Sequence, residues 1–316
     1  MLPPALQAAI DRELSGASRR DLAQRSATTS EAYRAGRGSA GVIRGRDDAL
    51  AYALARMPAT YAACAAVFDE AARMAPGFAP RSLLDAGCGP GTGSWAAREA
   101  WSSLDDIAWL DASTPFLDLA QRLAGDALTA TATRADLTSG GFSKADLVLA
   151  SYALAEIPTG AQAQVVADLW GATEGVLALV EPGTPAGYAR ILAARGQLTT
   201  TGAAILAPCP HILPCPLVAP DWCHFNVRLP RSRDHKLAKG ADAPFEDEKF
   251  AYLLAVRPSV VAETRTPRVL ARPKAGKPGI ELKLCTEDGR VEQRFVPRRD
   301  KPAHARARRL DWGDAL

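Results

Sequence analysis

Leu83-Leu84-Asp85-Ala86-Gly87-Cys88-Gly89-Pro90-Gly91-Thr92-Gly93 decides the reading of this chain. Its first residues end a short apolar run of the kind a buried strand needs, and Ser94 to Ala100 follows with helical composition. The glycines therefore fall on a turn from strand to helix. Glycine lets a backbone approach a ligand closely, because no Cβ intervenes and positive φ carries little penalty. In open α/β sheets ligands sit beyond the carboxyl ends of strands, which is where this turn lies.

Outward from the turn, short apolar runs alternate with helical segments. Ser82 to Asp85, Ile107 to Asp111, Asp146 to Ser151 and Val176 to Glu181 have the pattern of buried parallel strands, and Phe250 to Arg257 resumes a strand later. The expectation is an α/β fold with an open sheet covered on both faces. Residues 1–78 carry Leu50, Leu54, Tyr61 and Phe68 at helical intervals and form an expected helical N-terminal layer. The core is expected over 79–201 and a Pro-, Cys-, His- and Arg-rich insertion over 202–249, read as an insertion rather than another strand and helix pair. The last core strand and a basic, β-rich C-terminal region fill 250–316, with runs at Ile280 to Cys285 and Val291 to Val296 joined by the turn signal Asp288-Gly289. A glycine and arginine-rich stretch, Arg34, Gly36, Arg37, Gly38, Gly41, Arg44, Gly45 and Arg46, reads as a solvated loop or as a phosphate-contacting one.

The spacing Gly-x-Gly-x-Gly-x-Gly with Asp85 before the first glycine is not the dinucleotide fingerprint; it resembles motif I of class I methyltransferases. That resemblance implies S-adenosylmethionine as cofactor and a Rossmann-like class I fold. Gly87, Gly89 and Gly91 would form its cradle with Asp85. Asp111 ends the next strand, 20 residues beyond Gly91, where a carboxylate can accept hydrogen bonds from both ribose hydroxyls. Asp136 falls where the family contacts the adenine amino group, and Ser151 closes the cofactor set at the end of the fourth strand. The next residue, Tyr152, stands where nucleobase amino-methyltransferases place an acidic or amide residue before two prolines, so the acceptor atom is unassigned and no catalytic residue is named. Methyl transfer from a sulfonium needs mainly in-line positioning, so the missing motif does not exclude catalysis.

Three cysteines fall within 15 positions, in Pro208-Cys209-Pro210-His211, Pro214-Cys215-Pro216 and Asp221-Trp222-Cys223-His224, with Cys285 a distant fourth. Four thiolates hold tetrahedral zinc or an iron-sulfur cluster, and His211 and His224 keep a mixed Cys and His zinc site open. The lack of a C-x-x-C pair argues against a zinc knuckle, and the flanking prolines favour a cluster; zinc, and no metal at all, remain alternatives. Cys64 and Cys88 read as small packing residues.

These pieces together resemble the mitochondrial ribosome small-subunit methyltransferase-like proteins, a family that includes methyltransferase-like protein 17 and bacterial relatives. The matching residues are Ala51-Tyr52, Arg56-Met57-Pro58-Ala59-Thr60-Tyr61, the glycine loop, Glu181-Pro182-Gly183-Thr184 and the segment from Pro208 to Phe225. The resemblance implies an inserted cysteine module with a 4Fe-4S cluster on Cys209, Cys215, Cys223 and Cys285, and association with small-subunit ribosomal RNA in assembly or translation. Arg228, Arg231, Arg233 and Lys236 near the module, with Arg298 and Arg299 in the tail, are the expected RNA contacts.

Charge agrees with a polyanion partner. The formal charge is +3 overall, yet between Arg257 and Arg309 stand 15 Lys and Arg against six Asp and Glu. No run approaches the roughly 18 apolar residues of a membrane-spanning helix, and Met1 to Gly16 lacks the apolar stretch of a signal peptide, so the expected location is cytoplasmic, with no membrane or DNA partner. Three functions remain in view: an RNA methyltransferase, a non-catalytic RNA-binding assembly factor, and a small-molecule methyltransferase with structural zinc.

Overall fold

A computed structural model describes residues 1–34, 38 and 41–316. Gly36 and Arg37 of the glycine and arginine-rich stretch lie outside the described residues. Three helices come first, α1 (Pro4–Glu13), α2 (Arg19–Arg34) and α3 (Arg46–Met74), and the last buries Leu50, Leu54, Tyr61 and Phe68 as the helical spacing required.

Five parallel strands follow: β1 (Ser82–Ala86), β2 (Asp106–Asp111), β3 (Ala130–Arg134), β4 (Ala145–Ser151) and β5 (Thr173–Pro182). Their crossovers are α4 (Thr92–Ala100), α5 (Thr114–Ala124) and α6 (Thr159–Ala172), and α7 (Pro185–Thr200) follows β5. Beyond β5 the sheet changes sense. β8 (Phe245–Val256) runs antiparallel to β5 and carries β6 (Ala204–Ala207) beyond it, giving the order β3-β2-β1-β4-β5-β8-β6, with β7 (Phe225–Pro230) also paired to β8. This is a Rossmann-like open sheet with antiparallel strands at one edge.

Alternation along β1 shows how the sheet is buried on both faces. Leu83 packs with α3, α4 and α5 side chains, whereas Leu84 packs with Val165, Leu169 and Ile191 of α6 and α7. At the end of β1, Asp85 is wholly buried and its Oδ2 accepts from the backbone N–H (3.1 Å) and the hydroxyl (2.7 Å) of Ser94, while Trp109 Nε1 donates to the same hydroxyl at 2.8 Å. Strand, helix and neighbouring strand are thus tied through one hydroxyl.

The segment read as an insertion contains more regular structure than expected. β6 and β7 lie in it, with α8 (Arg233–Lys239), and β8 begins inside it at Phe245. Because Ala207 pairs with Leu254 and Phe225 with Phe250, the chain leaves and rejoins one strand four residues apart, about 13 Å at strand rise. The cysteine loop between them is pinned at both ends. A second sheet joins β9 (Arg268–Val269), β10 (Lys274–Ala275), β11 (Gly279–Cys285) and β12 (Val291–Pro297), packed by α9 (Lys301–Ala307) over its own small core.

Burial pushes the Asp85 carboxyl up to about 7, against the opposing pull of its two Ser94 hydrogen bonds. A folded-state value above the unfolded one means that the native state keeps a proton the unfolded chain releases, so this group's contribution to stability falls as pH rises through the interval from about 4 to about 7. Asp85→Asn removes that titration. Thermal melts at several pH values should show the variant gaining on the native protein between about pH 4 and about pH 7; a constant difference would sink the assignment.

Candidate cofactor crevice and cysteine cavity

Gly87, Gly89, Asp111, Asp136 and Ser151 line one crevice of about 540 Å³ at the carboxyl ends of the parallel strands. Gly87, Gly89 and Gly91 have φ of 74°, 53° and 79°, the left-handed region that favours glycine, and they turn the chain from β1 into α4. The loop is held by Asp111, whose Oδ2 accepts from Gly89 N–H at 2.8 Å while Oδ1 accepts from Ser113 N–H at 2.8 Å. Burial pushes the Asp111 carboxyl up, and these two N–H donors pull it back. Asp136 is exposed at the rim, where the Thr138 backbone and side chain, each at 2.8 Å, hold its carboxyl below the usual range.

Two of the expected cofactor residues stand behind this surface. Asp85 is buried under the loop and reaches the crevice only through the helix it anchors, and Gly91 caps α4 against Trp109. Conversely, Arg44, Tyr52, Phe116, Tyr152 and Glu156 line the crevice and were not singled out for it in the sequence. Tyr52 comes from α3, and no local motif connects it to the glycines. Tyr152 is the one described non-glycine residue with positive φ, 58°, directly after β4. Its hydroxyl donates to Glu248 Oε1 at 2.8 Å, and Arg56 Nη2 reaches the same oxygen at 3.2 Å. A second cavity of about 650 Å³ adjoins the crevice across Tyr52, Tyr152 and Glu156.

On the far side of β8, Cys209, Cys215, Cys223 and Cys285 line a single apolar cavity of about 40 Å³, together with Tyr188, Arg195, His211 and Arg268. Cys209 lies two residues after β6 and Cys223 two residues before β7, so their proximity follows from the pairing of both strands with β8. Cys285 arrives from β11, directly across the ladder from Arg268. All four thiols are free; Tyr188 Oη donates to Cys215 Sγ at 3.2 Å, and His211 Nε2 stands 3.3 Å from Cys285 Sγ. Burial pushes the Cys209, Cys223 and Cys285 thiols up, with Arg195 or Arg268 acting in the opposite direction. Among the described residues no group of three or more Cys, His, Asp or Glu side chains is arranged to hold a metal ion. His224 is turned away, stacked on Trp222 at 4.9 Å and set edge-on to Trp312 at 4.6 Å.

The expected RNA contacts fall in two stretches, 228–236 around β7 and α8 and 298–299 before α9. Arg228 makes a paired hydrogen bond to Asp247 (2.7 Å each) and Arg231 an ion pair with Glu246 at 3.1 Å, so both are already partnered by β8. Arg233 is exposed and Lys236 half-buried on α8, and Arg298 and Arg299 are exposed before α9.

The sheet order and the glycine crevice make this a methyltransferase-like chain of the Rossmann type. Residues 46–316 match the family described as mitochondrial small ribosomal subunit Rsm22, and the chain belongs to that family. It is 30% identical over 291 residues to the human ribosome assembly protein METTL17, mitochondrial, covering 84% of this chain and 62% of that protein. It is 26% identical over 320 residues to the Rsm22-cox11 tandem protein 2, mitochondrial, of Schizosaccharomyces pombe, covering 84% of this chain and 42% of that one. The chain therefore spans less than two thirds of each relative's length, 62% and 42%. Among solved structures it is similar to magnesium protoporphyrin IX methyltransferase from Synechocystis with bound SAM, at 18% identity, 72% of this chain, 90% of that chain and a TM-score of 0.42. The precorrin-6y C5,15-methyltransferase of Geobacter metallireducens gives 17%, 62%, 87% and 0.41. Among the described residues no helix is long and apolar enough to cross a membrane.

A Cβ added at Gly87 would stand 2.8 Å from the Ala153 methyl, on a residue that also needs positive φ. Gly87→Ala should cost about 2 kcal/mol in denaturant unfolding, from the left-handed backbone alone. Gly160→Ala, in the first turn of α6 with open space around it, should be neutral or stabilising. Equal effects at the two positions would refute the role given to the loop.

Proposed function

We propose that this chain is a ribosome assembly protein that binds S-adenosylmethionine in the glycine crevice and small-subunit ribosomal RNA on its basic surfaces. The observation that carries the reading is the convergence of Gly87, Gly89, Asp111, Asp136 and Ser151 on one crevice. There the Asp111 carboxylate, beside the glycine turn, retains lone pairs for a ribose diol. The partner follows from family membership and from the human relative's name as a ribosome assembly protein. Both curated relatives are named as mitochondrial; a cytoplasmic location, and the division at 78, 201 and 249, stay proposals for this chain.

Calorimetric titration with S-adenosylmethionine tests the cofactor reading. Saturable binding is expected, weakened at least about tenfold in Asp111→Asn, since a hydrogen bond to a charged group contributes roughly 1.5–3 kcal/mol. Absence of binding by the native chain would overturn it. For the RNA, affinity should fall steeply with salt, and Arg298→Ala and Arg299→Ala should each reduce the slope by about one, whatever the sequence offered. An unchanged slope removes the tail from the RNA surface. A second reading, methyl transfer to an RNA base, is favoured by the cavity of about 650 Å³ beside the crevice and is read by label transfer from methyl-labelled cofactor.

The cysteine cavity is the proposed seat of a 4Fe-4S cluster on Cys209, Cys215, Cys223 and Cys285. Four free thiols around a common apolar space fit such a group by donor chemistry. A single tetrahedral zinc with sulfur at about 2.3 Å would need the thiols closed on a point. The cluster would serve as a crosslink between the loop and the C-terminal sheet. Anaerobically purified protein should hold about four irons and four sulfides per chain, lost in Cys215→Ser; zinc without sulfide, or no metal, defeats the assignment.

A further inference from the structure

Arg195 projects from α7 and is 5% exposed. One of its terminal nitrogens donates to two backbone oxygens of the cysteine loop, His211 O at 2.9 Å and Leu213 O at 2.8 Å, and its Nε, also buried, has no hydrogen-bond partner. Guanidinium cannot discharge itself by losing a proton, so a buried one needs an anion nearby. Among the described residues the ion pairs of this region are Glu181–Arg190, Glu70–Arg268 and Asp221–Lys283, and Arg195 is in none of them. Arg268, the other buried cation of the cavity wall, grips Pro208 O and Gly313 O but already has Glu70 as its counter-charge.

What Arg195 does face is the cavity lined by four cysteines. Neutral thiols leave its charge uncompensated. Four metal-bound thiolates contribute four negative charges, which a 4Fe-4S core or a zinc ion only partly offsets, leaving net negative charge in contact with the guanidinium.

We propose that Arg195 is the counter-cation of an anionic, thiolate-bound metal group in this cavity, and that it positions the loop between Cys209 and Cys215 through the two carbonyls it grips. The proposal rests on the cavity holding such a group. Two effects follow from one side chain, and they separate by substitution. Arg195→Gln keeps a donor for the loop and removes the charge; Arg195→Lys keeps the charge and loses the fork geometry.

The measurement uses the full chain, anaerobically reconstituted with iron and sulfide. Native protein that takes up no cluster defeats the cluster reading itself, independently of Arg195. Given native loading, Arg195→Gln should lose iron to a chelator about 10–100-fold more readily, the range for groups that support metal ligands without binding the metal. Its cluster should also titrate at a more negative potential, because the reduced form carries one more negative charge and has lost its cation. Arg195→Lys should restore the potential toward the native value. If both variants keep the native potential and differ only in thermal stability, Arg195 is a structural brace and the charge assignment fails. A Lys variant that shifts the potential as far as Gln overturns it equally.

Discussion

The reversed strand β8 sets the terms for everything beyond the parallel sheet. Its C-terminal half closes the sheet against β5, and its outer side receives β6 and β7, leaving that edge covered. Its N-terminal half carries Glu246, Asp247 and Glu248 in succession, a sequence that a half-buried strand tolerates only if each carboxylate meets a cation. Each does: Glu246 takes Arg231 and Lys239, Asp247 takes Arg228, and Glu248 takes Arg56 with the Tyr152 hydroxyl. The partners of Glu246 and Asp247 surround β7 and α8, whereas those of Glu248 line the second cavity, Tyr152 also lining the cofactor crevice.

Crevice and cavity are therefore mechanically connected. Glu181, fully buried and paired with Arg190 at 2.5 Å, is the penultimate residue of β5, and Thr184 two residues past that strand caps α7 by accepting from Gly187 N–H at 3.1 Å. Gly183 between them gives its carbonyl to Trp222 Nε1 at 3.0 Å, and Trp222 adjoins Cys223. Tyr188 and Arg195, both on α7, then reach Cys215 and the loop carbonyls. One helix start is shared by the rim of the second cavity, through Thr184 and Arg190, and by the cysteine loop.

The central strands were legible because burial on both faces leaves apolar runs, as at Leu147 to Ala150 and Val176 to Val180. β3, Ala-Thr-Ala-Thr-Arg on the sheet edge and largely half-exposed or exposed, has no such run. β6 is four residues long and stops at a proline, and β7 alternates with Arg228 inside a segment whose cysteines and prolines dominate its composition. At the crevice, glycines and carboxylates near strand ends are local signals, whereas Tyr52 and Arg44 reach it from an N-terminal region with no sequence link to it. Arg195 was hidden for a similar reason. An arginine on a helix ordinarily lies on the solvated face, and only the folded loop reveals that this one is inside.

Arg268 ties Glu70 of α3 to the cysteine loop and the tail across 198 residues of chain. At a synthesis rate of roughly 5–20 residues per second, the guanidinium is made about 10–40 s after the carboxylate it will meet. Through that interval Glu70 has only Arg73, one turn away, for company. The first long helix therefore acquires that counter-charge only after Arg268 is made, and the fourth cysteine, Cys285, follows 17 residues later.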